Sequence, residues 1–330
     1  MATFKGIKGV KVVTKATDPT ASEAAGTVWY NSTSPSALKY AIQGTAAWAS
    51  GGNLNTPRDE GASAGTQTAT LFAGGEPPNT GKTEIYDGTT WTEVADLQAV
   101  KWSPGGFGTT TAAVAAGGNP TTATTETWNG TSWTEVNNLT TPHYQMGTAT
   151  SGGTSTAGLV YGGLSPAWPT QTANTEEWDG TCWTETQNLN TARSIQGGLG
   201  TQTAALCISG TTTGNNDGGV TAINEQWNGT SWSEVGNILS ARQAVAAAGT
   251  TTAGLCFGGR PYPPVYSALT ETWDGTSWSE TSDLATGRTE AGGTGTQDVA
   301  ICMGGGTPGI TNVTEEWNDP TYTIKTVTIS

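Results

Sequence analysis

The 330-residue chain carries a net charge of −14, with only 12% charged residues. That balance argues against nucleic acid or anionic lipid as a partner, because phosphate contacts need clustered Lys and Arg, and no apolar run is long enough for membrane insertion. Abundant Gly alone would suit a disordered chain, but fourteen Trp supply aromatic surface that disordered segments lack, so many short strands joined by tight turns are expected.

Residues 1–44 lie outside any repeat. Their start, MATFKGIKGVKVV, is basic without a continuous apolar stretch and does not read as a signal peptide. Gly26-TVWYN and Leu38-KY read as strands of a small β-hairpin segment. Trp48-ASGGNLNTP-Arg58 aligns without a gap on Trp133-TEVNNLTTP-His143, which makes it a fourth strand arriving before any first strand. One phrase then recurs: Tyr86-DGTT-Trp91, Trp128-NGTS-Trp133, Trp178-DGTC-Trp183, Trp227-NGTS-Trp232 and Trp273-DGTS-Trp278, with a degraded Trp317-NDPT-Tyr322. An apolar run ending in Gly-Gly precedes each copy, at 74–75, 117–118, 162–163, 258–259 and 304–305, and Ser209-Gly210 fills the remaining slot.

Each unit reads as four strands, and the Asp-Gly or Asn-Gly turn sets the flanking aromatics opposite each other, where they are expected to pack between blades. A Gly-Gly pair ending strand two, an aromatic in strand three and a Trp in strand four resemble the kelch family. The resemblance covers residues 45–322 and implies an all-β, six-bladed kelch-like β-propeller, since a lone four-stranded sheet cannot bury both faces whereas a ring of them can. Residues 323–330 form a last strand, expected to pair with KGVKVV near the N-terminus. Closure of the last blade by the N-terminal strand is preferred, and a seventh, composite blade built from both termini is the alternative.

Strand order sends the second-to-third and fourth-to-first loops to one face. There the copies disagree: EPPNTGK (76–82), LSPAWPT (164–170), TTTGNNDGG (211–219) and RPYPPVYSA (260–268). Variable loops on a repeated frame are where recognition is expected, with Trp168, Arg260, Tyr262 and Tyr266 as candidate contacts. On the same face Arg58, Lys101, His143, Arg193, Arg242 and Arg288 share one repeat position and are expected to form a basic ring at the channel mouth, suited to an acidic sugar or carboxylate. The kelch resemblance implies the same, and pairing with repeat glutamates is the competing outcome. Glu84, Glu126, Glu176, Glu225, Glu271 and Glu315 would face Glu93, Glu135, Glu185, Glu234 and Glu280 across hairpins, an unfavourable arrangement that something must relieve.

His143 is the only histidine and sits where other repeats carry Arg or Lys, so neither a catalytic triad nor a three-histidine zinc site is expected. Every repeated carboxylate pair recurs in each blade, whereas acid–base chemistry needs one unique acid and one unique base. No enzyme activity, cofactor or metal is therefore expected. Cys207, Cys256 and Cys302 hold one position in three repeats and should be buried free thiols, consistent with a cytoplasmic site of synthesis. The N-terminal phrases and wording such as NGTSWTEVNNLTT and GTQTAALCISG resemble phage tail-fibre and appendage proteins with kelch-type repeats. That resemblance implies a virion protein, assembled in the host cytoplasm, that meets other virion proteins through its N-terminal segment. It would bind a host surface glycan or protein through the loop face, with homo-oligomers possible in such a setting. The alternatives are a structural decoration of capsid or tail and, behind it, a propeller glycosidase.

Overall fold

The computed structural model describes residues 12–19, 27–33, 36–150, 153–166, 170–213, 218–319 and 322–327. The chain forms two compact units, one from residues 1–47 and 319–330 and the other from Trp48 to Asn318. Among the described residues every named element is a β-strand.

In the first unit the strands Val13–Lys15, Val28–Asn31, Ala37–Gln43 and Tyr322–Thr326 form one sheet in that order. The C-terminal strand pairs antiparallel with Ala37–Gln43, Tyr322 opposite Gln43, rather than with KGVKVV. The part of that segment within the described residues leads into Val13–Lys15, at the opposite edge and parallel to Val28–Asn31. Asp18 ties the sheet together by accepting from Trp29 Nε1 at 3.2 Å, Asn31 Nδ2 at 2.7 Å and Lys39 Nζ at 2.5 Å.

The second unit is a six-bladed propeller. Each blade is an up-and-down antiparallel sheet, such as Ala62–Thr66, Ala69–Ala73, Thr83–Tyr86 and Trp91–Val94. The innermost strands of successive blades pack side by side, the sixth (Gly292–Gly295) against the first (Ala62–Thr66), so the ring is closed. The closing blade takes Ala47–Ser50 as its fourth strand. Trp48 therefore packs on Trp317 at a ring separation of 5.5 Å, the place that sequence alignment also offered to Tyr322. A composite seventh blade is not part of the ring, because the innermost strand of the sixth blade packs directly on that of the first.

The repeated aromatics pair as the turn requires: Tyr86 with Trp91, Trp128 with Trp133, Trp178 with Trp183, Trp227 with Trp232 and Trp273 with Trp278, at ring separations of 5.1 to 5.5 Å. All ten are buried between blades. The fourth-strand indoles also stitch blades together. Trp91, Trp133, Trp183, Trp232 and Trp48 donate to Thr314, Thr83, Thr125, Thr175 and Thr270 of the preceding blade, at 2.9 to 3.1 Å. Asn224 stands where the sixth threonine would be, and there Trp278 Nε1 has no partner. Cys207, Cys256 and Cys302 are buried free thiols in the second strands, and burial pushes them up to about 11, 12 and 12. Cys182 is exposed.

Candidate functional site

The six repeated cations do not line the open channel. Arg58, Lys101, His143, Arg193, Arg242 and Arg288 are all essentially inaccessible, each turned into its own blade toward the third-strand glutamate. Arg58 pairs with Glu84, Arg193 with Glu225 at 2.7 Å, Arg242 with Glu271 at 2.6 Å, Arg288 with Glu315, and Lys101 with Glu126 at 3.2 Å. His143 lies 4.0 Å from Glu176, and its Nδ1 is 2.8 Å from the Gly162 carbonyl. Burial pulls its pKa down to about 4, so it is neutral at pH 7 and the ring holds five charges. The second carboxylate oxygen of every glutamate accepts a backbone N–H of the incoming fourth-to-first loop, from Asn55, Gln98, Thr140, Asn190, Leu239 and Ala285, at 2.7 to 2.8 Å. Cation and amides together relieve the like-charge pairing, because Glu84 does face Glu93, and so on round the ring, while the outer partners lie in water. Such buried, hydrogen-bonded pairs hold geometry and are costly to break singly. They are a frame, closed to solvent in this structure.

What borders the channel sits two residues further on. Glu60, Ser103, Gln145, Ile195, Ala244 and Glu290 all have positive φ, between 51° and 58°. The backbone N–H of each donates to the carbonyl of the same position in the preceding blade, from Ser103 to Glu60 at 2.7 Å round to Glu60 to Glu290 at 3.0 Å. Six hydrogen bonds thus form a complete ring at the channel neck. The left-handed conformation aims each N–H sideways at the neighbouring blade; in a regular strand it would point along the sheet. The neck opens into a hollow bounded by the first residues of the innermost strands.

The neck is chemically lopsided. Blades four and five present Ile195 and Ala244, whereas blades six, one, two and three present Glu290, Glu60, Ser103 and Gln145. Glu60 accepts from Ser103 Oγ at 2.6 Å and from Gln145 Nε2 at 3.3 Å. Burial first, and the neighbouring Glu290 next, hold its carboxyl well above the usual carboxylate range, and burial raises Glu290 as well while Arg260 opposes it. Asp59 is pushed up to about 7 by burial and by Glu290 and Glu76. Asp59, Glu60, Glu76 and Glu290 belong to no repeat pattern, so the alignment of the copies does not single them out. The signal of Glu60 and Glu290 is disagreement: carboxylates in a slot that the other four blades fill with Ser, Gln, Ile or Ala.

The loop face carries the other candidates. A run of isolated bridges joins the two loops of each blade there, including Asp59 with Glu76, Ser194 with Thr211 and Gln243 with Arg260. Tyr262, Val265 and Tyr266 are 55%, 63% and 41% exposed, on the loop that follows Arg260. Arg260, Pro264, Val265 and Tyr266 border a second hollow. Trp168 lies outside the described residues.

No protein-family model and no curated protein sequence matches the chain. Among solved structures it is similar to one described as "Structure of YjhT", with a TM-score of 0.66 at 12% identity, covering 83% of this chain and 99% of that one. At that identity the likeness shows the fold alone: a propeller of repeated four-stranded sheets.

Proposed function

We propose that the chain is a non-enzymatic recognition module, a virion tail-fibre or appendage adhesin that binds a host-surface glycan or protein through the loop face of its propeller. One observation carries this reading. The repeated charges are engaged inside the frame, whereas the irregular loop 260–268 holds two tyrosines and a valine in solvent on that rigid support. Proline-flanked aromatics stack on sugar rings or peptides at low entropy cost. The N-terminal segment, whose strands Val28–Asn31 and Ala37–Gln43 sit in a sheet of their own, attaches to other virion proteins in this reading, and the phage wording of the sequence supports that setting. A structural decoration of capsid or tail is the second reading, supported by the same engagement of every repeated charge within the frame.

The test is binding to whole host cells and to a glycan array. Wild type is expected to bind saturably, and Tyr262→Ala with Tyr266→Ala is expected to lose tenfold or more while keeping its thermal midpoint. Saturable binding that survives the double substitution would move recognition off this loop. Glycoside turnover that disappears in Glu60→Gln would overturn the non-enzymatic reading.

A further inference from the structure

Glu60 and Glu290 stand side by side at the neck, joined through the backbone bond from Glu60 N to Glu290 O. The donors around them are already committed. Ser103 Oγ and Gln145 Nε2 both donate to Glu60, and Gln196 Nε2 donates to the Tyr161 carbonyl at 2.8 Å. Acceptors are left over. Gln145 Oε1 has no partner, and neither does Oε1 of Gln196, a residue only 7% exposed that lines the same space. Arg260 is the cation that acts on Glu290, and the acidic side chains of Asp59 and Glu76 lie beyond. The five buried cations of the frame are each matched by a glutamate and lend the neck no net positive charge.

We infer that the channel neck is a binding site for a primary ammonium group, with Glu60 and Glu290, ionised as the ammonium enters, as its counter-charge and the free amide oxygens of Gln145 and Gln196 as further acceptors. This inverts the sign expected from the sequence, where six aligned cations suggested an acidic ligand. An ammonium donates three hydrogen bonds and accepts none, which matches the two carboxyls and the two unpaired amide oxygens gathered on one side of the space. An anion would meet uncompensated carboxyls in a poorly solvated place. The apolar arc of Ile195 and Ala244 faces the carbon skeleton of the bound amine. The inference deepens the proposed recognition role and rests on the same face of the propeller. Its ammonium is supplied either by a free amine, such as an amino sugar, or by a lysine of a partner protein.

Isothermal titration of the full chain with glucosamine, N-acetylglucosamine and glucuronate tests it, with a lysine-bearing peptide and its Nζ-acetylated form as a second arm. Saturable binding of glucosamine, at least tenfold tighter than N-acetylglucosamine and weakened by added salt, is expected, with glucuronate silent. Glucosamine binding should fall tenfold or more in Glu60→Gln and in Glu290→Gln. If only the unacetylated peptide binds, the ammonium comes from a partner protein. Equal binding of the acetylated and free forms, preference for glucuronate, or no saturable binding of either ammonium probe would overturn the inference. The wild-type comparison decides this even where a variant misfolds. Tyr262→Ala should leave the ammonium probes untouched, so loss of the loop-face reading and loss of this one are separable.

Discussion

At position 59 the first blade carries a carboxyl where the other five carry Trp102, Tyr144, Ser194, Gln243 and Thr289. Trp102 and Tyr144 answer burial by packing on each other, edge to face, at 5.5 Å. Asp59 has no such recourse: it is buried beside Glu76 and Glu290, and one carboxylate oxygen lacks a partner. Its pKa rises from 3.8 to about 7, so the native state holds a proton that the unfolded chain releases. The stability Asp59 contributes is therefore complete below about pH 4 and is lost as pH rises through 7. Asp59→Asn should match wild type near pH 4 and exceed it at pH 8, by up to about 4 kcal/mol. Thermal midpoints measured across that range check the sign; a variant less stable at pH 8 would contradict it.

At the scale of the element, the fourth strand acts through its indole. It buries between blades and donates to a threonine on the third strand of the preceding blade, so a single side chain both fills and fastens the interface. Thr175→Val keeps shape and volume but leaves Trp232 Nε1 without an acceptor, and should cost about 1–3 kcal/mol in urea unfolding. Trp278, whose repeat position has Asn224 in place of the threonine, already lacks a partner, so one such gap is tolerated in the ring. An unchanged unfolding midpoint would mean that packing alone holds these interfaces. The third strand contributes differently, because its glutamate grips both a basic side chain and the backbone of the loop entering the innermost strand. That grip fixes the chain just before the left-handed residue of the neck.

The whole molecule is closed by one strand without a covalent bond. Ala47–Ser50 completes the sixth blade, and Trp48 holds it through Phe257 at 4.8 Å, Trp317 at 5.5 Å and a 3.0 Å bond to Thr270. Trp48→Ala should lose about 3 kcal/mol. It should also speed amide exchange first in Thr314–Asn318, before the corresponding strand Thr175–Trp178 on the far side of the ring. Uniform acceleration round the ring would mean that the clasp is no weaker than the other blade contacts.

The repeat made the blades legible from the sequence. Periodic Gly-Gly pairs, Asn-Gly and Asp-Gly turns and paired aromatics are local signals whose physics is complete within some fifty residues. The gap-free match around Trp48 likewise foretold the clasp. The alignment also placed six cations at one level, but not the direction of their side chains, which the third-strand glutamates decide. Whether a basic ring faces a ligand or a carboxylate depends on groups some thirty residues apart in sequence that meet only in the folded blade. The acids of the neck show the same limit more sharply. Glu60 and Glu290 are 230 positions apart and become neighbours only when the ring closes, so the sequence by itself determined the frame, and the tertiary structure decided the sign of the charge at its opening.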